Sequence, residues 1–168
     1  VAGLCPITES SLGDGIFDGV RWLNAGGRIA VGSDSNIRIA LSEELRTLEY
    51  SQRLRDRSRA ALANAQASTG RRLFEAVCAG GARASGRDSG RIAPGALGDL
   101  VALDAGHVDL TGQSGDILLD CWIFAGNDAM VRDVWSAGRH AVQSGRHVKR
   151  DEITAAYRSA MQSLTAAF

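Results

Sequence analysis

Two short apolar runs, each ending in a polar loop and each followed by a helical pattern, constrain this chain more than any other feature. Val1-Ala2-Gly3-Leu4-Cys5 opens the sequence, and Arg28-Ile29-Ala30-Val31-Gly32 repeats the pattern before the polar group Ser33-Asp34-Ser35-Asn36. Runs this short and this apolar have the character of strands buried on both faces. Between them, Pro6 and Gly13-Asp14-Gly15 predict a loop, and Ile16, Phe17, Val20 and Leu23 predict a helix that stops at Gly26-Gly27. After the second run, Ser42 is placed to cap a helix with Leu41, Leu45 and Leu48 on its buried side and Glu43 and Glu44 at the positive end of its dipole. The arginine-rich stretch to Arg59, interleaved with Glu49 and Asp56, reads as its solvated continuation. A further helix is predicted over 69–84, with Leu73, Phe74, Val77 and Cys78 inward and its end weakened by the glycines after Ala79. Strand, helix, strand, helix with short connections implies parallel strands and crossover helices, hence an α/β fold: a doubly wound sheet or a (β/α) barrel. Two strands alone close neither.

The pattern changes near residue 90. Gly90-Arg91-Ile92-Ala93-Pro94-Gly95 is rich in turn residues, and Leu100-Val101-Ala102-Leu103 is a compact strand between Asp99 and Asp104. Strands are predicted over 131–136 and 140–143 around the turn Ala137-Gly138-Arg139, whereas Ile117 to Phe124 is an apolar run that fits either strand or helix. Trp122 within it suits the core or an interface. Ile153, Tyr157, Met161, Leu164 and Phe168 fall on one face of a helix capped by Asp151, a stripe that should pack on something. The expected division is 1–89, 90–150 and a C-terminal amphipathic helix over 151–168.

Composition removes several function classes. With 19 basic and 19 acidic side chains the net charge is zero, so the chain lacks the basic excess that draws proteins onto nucleic acid or anionic lipid. No apolar run approaches the roughly 18 to 20 residues of a membrane span. Cys5, Cys78 and Cys121 are odd in number and widely spaced, which fits a reducing, cytoplasmic setting better than a disulfide framework. The chain starts at Val1, directly in an apolar run, which reads as the beginning of a fragment.

Asp34 is the foremost candidate for chemistry. A carboxylate at the carboxyl end of a parallel strand lies where α/β folds build their sites, and Gly32, Ser33, Ser35 and Asn36 around it permit close approach and hydrogen bonding. Asp34 and Ser35 also suit an ordinary turn. Thr8 and Glu9 stand in the same relation to the first strand, so both should open on the face that carries Asp34. Cys5 reads as small core packing. His107, His140 and His147 lie past residue 90 without HxH or HExxH spacing, so surface or satisfied structural roles fit them better than a metal cage.

Several of these stretches resemble the C-terminal half of formimidoylglutamate deiminases, members of the amidohydrolase superfamily. They are Gly3-Leu4-Cys5-Pro6-Ile7-Thr8-Glu9, Leu12-Gly13-Asp14-Gly15-Ile16-Phe17, Gly32-Ser33-Asp34-Ser35, and Glu43-Glu44-Leu45-Arg46 with Leu48-Glu49-Tyr50. Gly90 to Val101 and Val134 to Arg139 look like that superfamily's small β-sandwich domain. The resemblance implies the last two strands and helices of a (β/α)8 TIM barrel, 1–5 and 28–32 being strands seven and eight, followed by the C-terminal part of a β-sandwich. It further implies a zinc ion, with Asp34 both at the metal and acting as general base. The expected reaction is hydrolysis of N-formimino-L-glutamate to N-formyl-L-glutamate and ammonia, with Thr8 and Glu9 lining the pocket and the intact enzyme a homodimer. The family's metal histidines and substrate arginines have no counterpart here, so the segment alone is expected to be inactive. Position 7 is Ile where the pattern has Thr. The alternatives are a purine or triazine ring deaminase or chlorohydrolase of the same superfamily, and a truncated, non-catalytic interaction module.

Overall fold

The computed structural model describes residues 1–166, an α/β chain of six strands and six α-helices. Strands β1 (Ala2–Leu4) and β2 (Ile29–Val31) pair in parallel, Ala2 opposite Ile29 and Leu4 opposite Val31. The crossover that parallel pairing demands carries α1 (Pro6–Leu12) and α2 (Gly19–Asn24). The loop expected at Pro6 is therefore a helix. Proline at the first helical position sacrifices no bond, Glu9 Oε1 accepts the Cys5 N–H at 2.7 Å, and Gly13 at φ 75° returns its N–H to the Glu9 carbonyl. Seven residues are too few for periodicity to reveal. The second helix starts later than its apolar spacing suggests, because the Asp18 side chain caps it by accepting from the Arg21 N–H.

Helix α3 (Leu41–Asp56) departs from expectation in two ways. Its cap position is Ala40, in extended backbone, so Ser42 lies inside the helix, fully buried. Nor is the charged stretch a solvated face, for Glu44, Glu49 and Gln52 are all buried. Glu49 accepts from the Ala61 and Leu62 N–H groups at 2.8 and 2.9 Å and from Arg53 Nε at 2.6 Å. Gln52 accepts from the Gly19 N–H and donates to the Phe17 carbonyl, and Arg46 Nε donates to the Ile123 carbonyl at 2.7 Å. Polar side chains here satisfy buried backbone groups of neighbouring loops, which composition alone cannot distinguish from hydration.

Helix α4 (Thr69–Ala84) has the predicted bounds, capped by Ser68, and it does not weaken at its glycines. Gly80 lies so close to β2 that a Cβ there would sit 1.7 Å from the Ile29 carbonyl oxygen. The missing side chain lets the helix rest on the strand backbone.

Beyond residue 90, β3 (Leu100–Leu103), β4 (Val131–Ser136), β5 (Arg139–Gln143) and β6 (Arg146–His147) form an antiparallel meander in that order. Only β6, two residues long, escaped the sequence pattern. Ala137 and Gly138, both at positive φ, make the tight turn between β4 and β5. The ambiguous run is helical: α5 (Gly115–Asp120) continues into a π-helical turn over Cys121–Ala125. It packs on α3 and α4, burying Trp122 and Ile123 in one core with Leu4, Ile29, Leu45, Leu48, Leu73 and Val77. Trp122 is thus a core residue. Helix α6 (Arg150–Thr165) forms where its pattern predicts, but its cap position is Lys149 and Asp151 lies inside its first turn; it buries no residue, and Ile153, Tyr157, Met161 and Leu164 stay exposed. Phe168, assigned to the same stripe, lies outside the described residues. Among the described residues no helix is long and apolar enough to cross a membrane.

Candidate functional site

The carboxyl ends of β1 and β2 lie side by side, and the segments leaving them are bonded to each other. Asp34 follows β2 in a turn closed by the Asn36 N–H donating to the Ser33 carbonyl at 2.9 Å. Its φ of 45° puts a non-glycine residue in the left-handed region, a strained state that aspartate tolerates better than most. The side chain is exposed, and its carboxylate accepts no hydrogen bond among the described residues.

Thr8 and Glu9 sit on the first turns of α1, one residue apart, and face different partners. Thr8 is buried, and its Oγ1 donates to the Ser33 carbonyl at 3.0 Å, tying α1 to the residue before Asp34. Glu9 is half-buried and bonds the Cys5 N–H, closing its own helix. Thr8, Ser11, Leu12, Ser35, Asn36, Ile37 and Arg38 line a cavity of about 310 Å³ beside the Asp34 turn. Glu9 does not line it.

Two further titratable groups lie beneath these loops. Cys5 is half-buried at the end of β1, and burial, reinforced by the charge of Asp34, pushes its thiol above the usual range. Glu44, at the start of α3, is 2% exposed. Its Oε2 accepts the Ile7 N–H at 2.9 Å, while its Oε1 has no partner among the described residues. Burial raises its carboxyl above the ordinary carboxylate range, partly opposed by the Ile7 N–H and the Asn36 side chain. The sequence offered Glu44 only as a charge at a helix start; its burial depends on α1, a helix the pattern did not show.

The histidines stand apart from this region and have partners of their own. His140 Nε2 pairs with Asp133 Oδ1 at 2.8 Å while its ring stacks on Trp135, and Nδ1 of His107 and of His147 accept backbone N–H groups. Among the described residues no group of three or more His, Cys, Asp or Glu side chains could hold a metal ion. A protein zinc site commonly takes at least three protein ligands, so these residues do not form one by themselves. Asp34 supplies a single carboxylate.

Comparison with known proteins extends this picture. Residues 1–141 match the model of the amidohydrolase family. A formimidoylglutamate deiminase from Pseudomonas aeruginosa is 48% identical over 158 residues, which are 94% of this chain and 35% of that protein. A 5-methylthioadenosine/S-adenosylhomocysteine deaminase from Natronomonas pharaonis is 28% identical over 150 residues, 88% of this chain and 31% of that protein. Among solved structures, an amidohydrolase from Brucella melitensis superposes with a TM-score of 0.89 at 46% identity, covering 98% of this chain and 36% of that one. An adenosine deaminase from Xanthomonas campestris with bound zinc gives a TM-score of 0.79 at 23% identity over 95% of this chain and 36% of that one. The chain therefore spans about a third of the length of the relatives it matches.

Proposed function

The chain belongs to the amidohydrolase family, and from that premise we propose that it is part of a hydrolase that deiminates N-formimino-L-glutamate, with Asp34 moving the proton. The observation that carries the substrate is the 48% identity to a formimidoylglutamate deiminase over 94% of this chain, against 28% for a nucleoside deaminase. In this reading β1 and β2 are adjacent strands of a (β/α)8 barrel over 1–89. Residues 90–150 contribute to a small β-sandwich, and 151–168 are a terminal helix. Parallel pairing supports the barrel, since strand carboxyl ends are where such barrels place their chemistry.

Hydrolysis of the formimino group adds water across the C=N bond and expels ammonia, leaving a formamide. Both protons of the attacking water must reach the departing nitrogen, one as the water adds and one as the adduct's hydroxyl collapses to the carbonyl, and a positioned carboxylate can carry each in turn. Asp34 is exposed, held in its turn, and without a hydrogen-bond or ion-pair partner among the described residues, which suits that role. Thr8 would line the pocket at the adjoining cavity, whose size fits a small dicarboxylate, and Glu9 would brace the helix that presents Thr8. Zinc enters the proposal through the family: Asp34 would be one ligand, and the others would come from polypeptide outside these residues. The complete protein would act as a homodimer on a small-molecule substrate, with neither nucleic acid nor membrane as partner.

The test is ammonia release by the complete gene product offered N-formimino-L-glutamate beside adenosine and a chlorotriazine. Turnover of the formimino compound alone is expected. Turnover of a ring substrate instead would replace this reading with a ring deaminase or chlorohydrolase, and a folded protein that releases nothing would point to a non-catalytic module.

A further inference from the structure

We infer that Glu44 is a positioning residue for Asp34, acting through a relay of hydrogen bonds that ties the first turn of α1 to the turn after β2. The inference rests on the proposed role of Asp34 as proton carrier. Helix α3 buries two carboxylates, and their surroundings differ. Glu49, fully buried, has three donors and closes the loop that follows its own helix. Among the described residues Glu44 has one hydrogen-bond donor, the Ile7 N–H, and an oxygen with no partner, with the Asn36 side chain of the turn after β2 close enough to favour its charged form. A half-satisfied buried carboxylate destabilises a fold where an apolar side chain of similar size would not. Packing therefore does not account for Glu44.

Its place in the bond network does. The opening N–H groups of a helix have no partner within it. At α1 the Cys5 N–H is taken by Glu9, Pro6 has none, and the Ile7 N–H is taken by Glu44, 37 residues away. Thr8, the next residue, donates from Oγ1 to the Ser33 carbonyl, which also accepts the Asn36 N–H. Ser33 is thus held from both sides, and the residue it precedes is Asp34 at φ 45°. Removing the Glu44 carboxylate releases Ile7 and loosens the turn that presents Thr8. That frees the Ser33 carbonyl on one side and relaxes the strained backbone that aims Asp34. Glu44 does not line the cavity, so its loss should disturb the proton transfer rather than substrate capture.

The experiment measures kcat and KM for N-formimino-L-glutamate in the complete gene product carrying Glu44→Ala, Glu44→Gln, Thr8→Val, the Glu44→Ala/Thr8→Val pair, or Asp34→Asn. Glu44→Ala is expected to lower kcat about 10- to 100-fold, as misplacement of a catalytic group by about an ångström does, with KM within about threefold. Glu44→Gln should restore most of the loss, because its amide oxygen still accepts the Ile7 N–H. Thr8→Val cuts the relay at its other end and should lower kcat comparably, with the double variant little worse than either single one. An unchanged kcat per folded molecule in Glu44→Ala, losses that multiply in the double variant, or a folded Glu44→Gln no better than Glu44→Ala would each overturn the relay. Should Glu44→Ala not fold, an unchanged kcat in Thr8→Val, or a loss there confined to KM, overturns it, and a kcat loss there at nearly unchanged KM together with retained kcat in Glu44→Gln upholds it. An active Asp34→Asn enzyme would instead remove the proposed role of Asp34.

Discussion

Gly80 and Gly81 are neighbours in α4, and the structure assigns opposite signs to the same substitution at the two positions. Alanine in a helix interior is favoured over glycine by about 0.5–1 kcal/mol, since the unfolded chain has less freedom to lose. At Gly81 a Cβ would have nothing within 4 Å, so Gly81→Ala should gain that full amount. At Gly80 the Cβ would lie 1.7 Å from the Ile29 carbonyl oxygen and 2.7 Å from its carbon, both backbone atoms of β2. Neither can rotate away, so helix and strand must separate by more than an ångström or so, and overpacking of this kind costs about 1–3 kcal/mol and occasionally more. Net of the helix preference, Gly80→Ala should destabilise by up to about 2.5 kcal/mol, and because that preference is common to both positions the two variants should lie about 1–3 kcal/mol apart. Urea unfolding of the complete protein, followed by circular dichroism, reads the difference as a shift in midpoint at constant slope. Equal midpoints would refute the close approach of α4 to β2. Because β2 leads directly into Asp34, Gly80→Ala should lower activity as well, whereas Gly81→Ala should not.

Two further outcomes follow from buried and bonded carboxylates. Glu49→Ala should cost about 3–5 kcal/mol, since it orphans the Ala61 and Leu62 N–H groups and leaves Arg53 without its partner, and hydrogen exchange at those two amides should accelerate in step. Asp99 accepts the Ala137 N–H and faces Arg87, which together hold its carboxyl below the usual range. A depressed carboxylate adds stability that is complete above the ordinary carboxylate pKa of about 4 and is lost as pH falls through the folded value. Exchange protection at Ala137 should therefore fall on acidification below about pH 4, and Asp99→Asn should abolish that pH dependence while lowering protection at neutral pH. A flat profile in the unsubstituted protein would contradict it.

The features legible in the sequence are those whose causes are local. The strands β1 and β2 announce themselves as continuous apolar runs, and α4 as sixteen residues of helical spacing. The place of Asp34 was legible for the same reason, as the acid in the first polar group after a strand. Helix α1 was not, because what closes it is a proline that resembles a loop marker and a glutamate whose partner is its own cap residue. The charged stretch of α3 misled because Arg46, Glu44 and Glu49 bond backbone groups 77, 37 and 12 to 13 residues away, contacts that no window of the sequence contains. The strain at Asp34 and the cavity beside it likewise arise only once α1 and the turn after β2 meet.

The central claim is tested most directly by the complete gene product, zinc-supplemented, with Asp34 or with Asp34→Asn, assayed for ammonia released from N-formimino-L-glutamate. Asparagine is nearly isosteric with aspartate but cannot carry the proton, so kcat should fall by at least about 100-fold, the lower range for losing a general base, in a protein that still folds. A folded Asp34→Asn protein that releases ammonia at the unsubstituted rate would contradict the account.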